Sequence, residues 1–180
     1  MKVYIMRHGE TVWNAKGIIQ GRRQGRLSKK GISQVEEQAK KFQNVNFDLI
    51  FTSPLMRTVQ TTNIINKFHS CKVIRDDRLL EVDKGILAGQ RKKRLPAKVY
   101  AERYIYPEKY GCEKPEDVCE RVRDFVKFLK ENFSNKTVLV VTHGAIADLM
   151  TNLFKHGSID ESDFCKGWTF KNAEIRFFEI

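Results

Sequence analysis

Apolar positions along the chain fall into short unbroken runs separated by stretches with helical spacing. Val3-Tyr4-Ile5-Met6, Phe47-Asp48-Leu49-Ile50-Phe51-Thr52, Cys71-Lys72-Val73-Ile74 and Thr137-Val138-Leu139-Val140-Val141-Thr142 read as strands. The last is apolar without alternation, which marks a central strand covered on both faces. Ala173–Ile180 alternates and fits a final strand near an edge. Ile32, Val35, Ala39 and Phe42 stand three or four apart, so the spacing predicts one buried helix face, with Ser28 as its cap and Gly31 in its first turn. Leu55, Val59, Thr62, Ile65 and Phe68 predict a second helix, with Ser53 expected as N-cap and Pro54 as its first residue. Glu116–Asn132 turns Val118, Val122, Phe125, Val126 and Leu129 inward, and Ala145–Phe154 follows the central strand as a helix. Strands alternating with helices predict an α/β three-layer sandwich around a mostly parallel central sheet.

Two segments break the pattern. Thr11 to Gln20 is a polar connection, a good position for ligand contacts. From about 91 to 119 the chain is polar, basic and aromatic, with Tyr100, Tyr104, Tyr106 and Tyr110, and with Pro96, Pro107 and Pro115 interrupting it. A short helix over Ala97–Tyr104 is expected there, in a segment that otherwise reads as a lid or substrate insertion. A structural excursion over the sheet edge is the other reading. At 180 residues the whole chain, 1–180, is expected to form one domain.

Composition narrows the class. Hydrophobic content of 41% with 31% charged residues describes a globular protein. No apolar run approaches the ~20 residues of a membrane span. The start, Met1-Lys2-Val3-Tyr4-Ile5-Met6-Arg7, is too short and too soon charged to be a signal peptide, so a cytoplasmic location is expected. Cys71, Cys112, Cys119 and Cys165 form no C-x-x-C pair and have no histidine at ligand spacing, so free thiols are expected, with zinc the minor alternative. Lys and Arg outnumber Asp and Glu 33 to 22, a formal charge of +11 that attracts anions. Arg22-Arg23, Lys29-Lys30 and Arg91-Lys92-Lys93-Arg94 carry no interleaved aromatic stripe, so solvated surface charge is preferred over nucleic-acid binding.

The chemistry concentrates at strand ends. Arg7-His8-Gly9-Glu10-Thr11 follows the first strand, where an open α/β sheet places its chemistry. Gly9 is expected to let the backbone approach a ligand closely. Thr52-Ser53-Pro54-Leu55-Met56-Arg57-Thr58-Val59-Gln60-Thr61 follows the second strand. Glu81 follows the third, with Gly85 and Gly89 behind it, and Val141-Thr142-His143-Gly144 ends the fourth. Phosphoryl transfer needs an in-line nucleophile, cationic donors around the equatorial oxygens and a proton for the leaving group. His8 can attack phosphorus through a neutral ring nitrogen and form a phosphohistidine. Arg7 and Arg57 can grip the phosphoryl oxygens, His143 and the Gly144 N–H can add two donors, and Asn14 can donate its amide. Glu81 can act as general acid and then as base toward water.

Taken together, these four motifs in this order resemble the histidine phosphatase superfamily, in its phosphoglycerate mutase-like branch. The resemblance covers nearly the whole chain and implies a phosphoglycerate mutase-like fold. It implies the same roles: phosphorylation at His8, a phosphate pocket from Arg7, Arg57 and His143, a proton from Glu81, and loop contacts to substrate at Asn14 and at Gln20-Gly21. It also implies no metal and no cofactor.

The expected activity is that of a metal-independent, histidine acid-type phosphatase acting on small phosphorylated metabolites. The first alternative is a phosphoglycerate mutase on the same pocket. An interaction protein without turnover and a basic nucleic-acid-binding domain are the readings from other classes, and a homodimer is left open. Mutases of this family typically continue the glutamate as Glu-Arg-His-Tyr-Gly, where this chain has Glu81-Val82-Asp83-Lys84-Gly85. After Gly21-Arg22 the family usually has an acid and then a proline, where this chain has Gln24 and Arg26, a change expected to alter loop packing. The family's Gly-Gly-Glu-Ser turn corresponds to Gly111-Cys112-Glu113-Lys114, which leaves a substrate contact there in doubt.

Overall fold

A computed structural model describes residues 1–165 and 167–180, with the side chains of Tyr100 and Cys165 outside the description. The expected thiol at Cys165 therefore lies outside the described residues, while Cys71, Cys112 and Cys119 are free. The elements are β1 (Lys2–Arg7), α1 (Val12–Ala15), α2 (Lys29–Phe42), β2 (Leu49–Thr52), α3 (Met56–Asn66), β3 (Lys72–Arg75), α4 (Ala97–Glu102), α5 (Pro115–Phe133), β4 (Thr137–Thr142), α6 (Gly144–His156) and β5 (Ile175–Glu179). The strands form one sheet in the order β3-β2-β4-β1-β5. Pairing is parallel except at β5, which runs antiparallel along the edge beside β1. This is the expected three-layer α/β sandwich.

Both faces of the central strands are covered, which is why they read as unbroken apolar runs. Val3, Ile5, Val138 and Val140 pack against α5 and α6 through Val122, Phe125 and Ile146. Met6, Leu139 and Val141 turn the other way, toward Val35 and Ala39 of α2 and Ile65 of α3. The register pairs Arg7 with Thr142 and Thr52 with Val141, so β2, β4 and β1 end side by side. His8 N–H continues the ladder to the Thr142 carbonyl at 3.0 Å, and Ser53 N–H does so to the Val141 carbonyl at 3.1 Å. Ser53, His143 and His8 thereby emerge in a row at the carboxyl edge of the sheet.

Several local expectations give way. Ser53 and Pro54 do not open α3; Leu55 is its N-cap residue and makes no side-chain cap. The Ser53 hydroxyl is taken instead by His143 Nε2 at 2.9 Å, and the N–H of Met56 donates to Gln24 Oε1 at 2.9 Å. Gln24, where the family usually has an acid, thus caps α3 from a separate loop. The buried face of α3 is Arg57, Thr58, Thr61, Thr62 and Ile65, whereas Phe68 is exposed. Its threonines bury because they hydrogen-bond neighbouring backbone: Thr58 Oγ1 donates to the Ser53 carbonyl at 2.8 Å, and Gly9 N–H donates to Thr61 Oγ1 at 3.2 Å. On α2, Ile32 is exposed and Gly31 takes the inward place.

Gly9 also has a different reason than expected. A Cβ on it would sit 2.6 Å from the Gly31 carbonyl oxygen, and one on Gly31 would strike the Glu10 backbone. The two glycines let α2 press against the loop that carries His8. The polar connection contains a short helix, α1, closed by a capping box between Thr11 and Asn14. In the 91–119 segment α4 ends at Glu102, and α5 starts at Pro115.

Candidate active site

Arg7, His8, Gln20, Gly21, Arg57 and Glu81 line one cavity of about 220 Å³ at the carboxyl edge of the sheet. His143 is fully buried beneath it, and Gly144 lies against Arg7, where a Cβ would press 3.4 Å from the guanidinium. Asn14 is not part of the cavity wall. Its Oδ1 accepts from the Thr11 N–H and hydroxyl at 3.1 and 3.0 Å, which leaves its amide nitrogen as the end able to donate to an anion. Gln20 is buried, and its Oε1 lies 3.0 Å from the Thr11 hydroxyl, whose single proton it shares with Asn14 Oδ1.

The geometry sets the tautomer of His8. Nδ1 lies 2.7 Å from the Gly9 carbonyl oxygen, an acceptor only, so Nδ1 carries the proton. Nε2 faces the Arg57 Nε–H at 3.3 Å and therefore holds a lone pair toward the cavity. Burial pushes His8 well below the usual imidazole range, and Arg57 and Arg7 push it further, against the Gly9 hydrogen bond. The ring is neutral, as a nucleophile must be.

His143 is the mirror case. Its Nδ1 accepts from Arg57 Nε at 3.2 Å, and its Nε2–H donates to Ser53 Oγ. Burial holds it well below its ordinary value, with Arg57 next in weight. In this state His143 is an acceptor toward the site rather than the expected donor. An anion beside the ring would favour its protonated form and turn it into a donor.

The cations are held from behind. Arg57 is 1% exposed, and its two terminal nitrogens donate to the carbonyls of Arg23 and Gly21 at 3.0 and 2.8 Å. Burial lowers its pKa to about 10, with Glu81 countering and Arg7 adding to the fall. Arg7 Nη1 donates to the Phe170 carbonyl at 2.6 Å, while its buried Nε has no partner. An unpartnered buried guanidinium N–H costs free energy that a bound anion would recover.

The Phe170 carbonyl is itself fixed from α6. Asp148 accepts from the N–H groups of Thr169 and Phe170 at 2.7 and 3.2 Å, and Arg176 stacks 3.8 Å above the Phe170 ring. Glu113 plays a similar part for the Glu81 loop. It takes Arg22 at 2.6 Å, Arg121 at 2.9 Å and the Asp83 N–H at 3.2 Å, while Arg22 Nε donates to the Glu81 carbonyl at 3.3 Å. The turn at Gly111–Lys114 therefore supports the loop from behind rather than lining the cavity. Sequence reasoning missed Asp148 and Glu113 in these roles, because a buried carboxylate on a helix or turn has no local signature. It also left Tyr104 and Trp168, which line the cavity, unassigned. Among the described residues no group of three or more His, Cys, Asp or Glu is placed to hold a metal ion, and no helix is long and apolar enough to cross a membrane.

The chain is similar to known proteins in sequence and in fold. Phosphoserine phosphatase 1 of Hydrogenobacter thermophilus is 31% identical over 149 residues, covering 79% of this chain and 71% of that protein. The protein named "Probable phosphoglycerate mutase GpmB" of Cronobacter sakazakii is 44% identical over 87 residues, covering 48% of this chain and 40% of its own length. The crystal structure of the alpha-ribazole phosphatase from Shigella flexneri superimposes with a TM-score of 0.86 at 20% identity, over 100% of this chain and 91% of that one, a likeness of fold. The sequence profile of the histidine phosphatase superfamily (branch 1) matches residues 3–179, and with that match spanning nearly every element described above, the chain belongs to the histidine phosphatase superfamily.

Proposed function

We propose that the chain is a phosphomonoesterase that hydrolyses small phosphorylated metabolites through a phosphohistidine at His8. The observation that carries this reading is the buried, neutral His8, with Nδ1 tied to Gly9 and the Nε2 lone pair facing the cavity between Arg57 and Arg7. In the first step Nε2 forms a bond to phosphorus as the bond to the ester oxygen breaks, and Glu81 gives that oxygen a proton. In the second, Glu81 takes a proton from water, whose oxygen attacks the phosphohistidine and releases inorganic phosphate and neutral His8. Arg7, Arg57, the Gly144 N–H and a protonated His143 neutralise the equatorial oxygens, and the Asn14 amide is available to a fourth side. Gln20 and Gly21 face the substrate. Rapid quench of the enzyme with substrate should trap an acid-labile, alkali-stable phosphoprotein, absent in His8→Ala. Unchanged turnover in His8→Ala would sink the mechanism.

A mutase acting through the same intermediate is the second reading, favoured by the GpmB likeness. The Val82-Asp83-Lys84 continuation after Glu81 lacks the arginine and tyrosine of the mutase pattern, and the interrupted 91–114 segment favours hydrolysis because a mutase must shield its phosphohistidine from water. With 3-phosphoglycerate, with or without bisphosphate primer, phosphate release should exceed isomerisation in a coupled enolase assay. Primer-dependent isomerisation much faster than phosphate release would promote the mutase reading.

A further inference from the structure

The cavity does not end at the phosphoryl pocket. Beyond Glu81 its wall is built by Lys84, Tyr104 and Trp168, from three separate segments. Lys84 Nζ donates to Tyr104 Oη at 2.9 Å and stands 4.8 Å from that ring's centre. Arg103 stacks 4.0 Å over the Tyr104 ring, and Phe164 meets both Tyr104 and Trp168 edge-on, at 5.1 and 5.3 Å. The wall is therefore already in place without a ligand.

Its exposed chemistry is all donor. With the Lys84 hydrogen bond arriving at Tyr104 Oη, the phenol proton is left to point away from Lys84. Lys84 has spent one of its three N–H groups on a neutral phenol, and among the described residues it pairs with no carboxylate. Arg7, Arg57, Lys84 and Lys92 line the cavity with Glu81 as the single carboxylate. A phosphoryl dianion answers the two arginines, and Lys84 is a further cation on the leaving-group side of the same cavity. The cavity, about 220 Å³, is smaller than the roughly 300–1,000 Å³ of drug-sized ligand pockets, so the second charge must sit close to the phosphoryl group.

We propose that Lys84, Tyr104 and Trp168 form a leaving-group subsite that selects small phosphomonoesters whose alcohol carries a second anionic group, a carboxylate or a second phosphoryl. This deepens the phosphatase reading and rests on it for the position of the leaving group. The subsite puts the anion one side chain from Glu81, on the same loop, so binding energy at Lys84 orients the ester oxygen toward its proton donor.

The test compares 3-phosphoglycerate, propane-1,3-diol bisphosphate and glycerol 3-phosphate, which share a three-carbon frame and differ in carrying a carboxylate, a phosphoryl or no second anion. The wild type should favour one or both of the first two over the third by about tenfold or more in kcat/KM, the scale of one charge-assisted hydrogen bond. Which of the two is preferred names the source of the charge. Lys84→Met should collapse that ratio toward one, Lys84→Arg should keep most of it, and Tyr104→Phe should reduce it, whatever loss the three esters suffer in common. The same ratios are read as dissociation constants by calorimetry in His8→Ala, where no ester is consumed, and as inhibition constants against p-nitrophenyl phosphate in the wild type. A binding ratio near one in the wild type, or one that Lys84→Met leaves unchanged, overturns the subsite. Selective binding without any turnover supports the subsite and counts against the phosphatase reading alone.

Discussion

Glu81 lines the same cavity as Arg7 and Arg57, and its Oε1 accepts from the Val82 N–H at 3.0 Å, which fixes the carboxyl within the loop. A group placed to protonate the leaving oxygen matters in proportion to how poor that leaving group is. Glu81→Gln should therefore slow an alkyl phosphate such as glycerol 3-phosphate by about a hundredfold or more, the usual weight of general acid catalysis, and an aryl phosphate far less. Steady-state kcat on the two esters measures the difference; equal losses would remove Glu81 from this role. At the same scale, Arg57 shows how little freedom the pocket leaves. Its three nitrogens meet two imidazoles and two loop carbonyls, so the guanidinium is held in place before any phosphate arrives.

Among the elements, α6 acts beyond its own N-terminus. Its first residue, Gly144, packs against the Arg7 guanidinium, and one turn on, the buried Asp148 grips the 169–170 turn whose carbonyl holds Arg7. Asp148 does not line the cavity and reaches Arg7 through that turn. Asp148→Ala should weaken competitive inhibition by inorganic phosphate about tenfold, because Arg7 loses its fixed partner, and should cost about 1–3 kcal/mol of stability from unsatisfied backbone N–H groups. Inhibition constants and urea unfolding read the two effects separately. A stability loss with unchanged phosphate affinity would make Asp148 structural only.

For the whole molecule, the site sets a pH limit on the fold. His8 and His143 are both buried and both held neutral, well below the ordinary imidazole range, by burial first and by Arg57 second. The unfolded chain binds protons at these positions below about pH 6.5, while the folded chain does not. Stability is therefore full above about pH 6.5 and falls as pH drops, by up to about 1.4 kcal/mol per pH unit for each histidine. His69, also lowered by burial, acts in the same direction. Urea unfolding between about pH 7.5 and 5.5 should show the decline, and His8→Gln with His143→Gln should flatten it. Inorganic phosphate should offset part of it by binding the folded state. A profile that stays level through this range would contradict the neutral, buried histidine pair.

The sequence by itself determined what depends on neighbours along the chain. Unbroken apolar runs marked the strands, spacing of three and four marked the helices, and residues at strand ends marked where chemistry would collect, because pleat and helical period are local properties. The order of elements alone put these residues near the sheet's carboxyl edge: Arg7 closes β1, His8 follows it, Arg57 lies in the first turn of α3 after β2, and Glu81 follows β3. The tertiary structure decided what depends on partners far along the chain. Ser53 reads as a helix cap until His143 claims its hydroxyl, and Ile32 and Phe68 read as core until the layer above each helix turns out to lie elsewhere. Asp148 and Glu113 read as ordinary acids until the turns they hold are folded against them. Lys84, Tyr104 and Trp168 come from separate segments with no common period, and only the packing of the 91–114 segment over the sheet's carboxyl edge brings a lysine, a phenol and an indole to one wall, because hydrogen bonds across such separations leave no trace in local pattern.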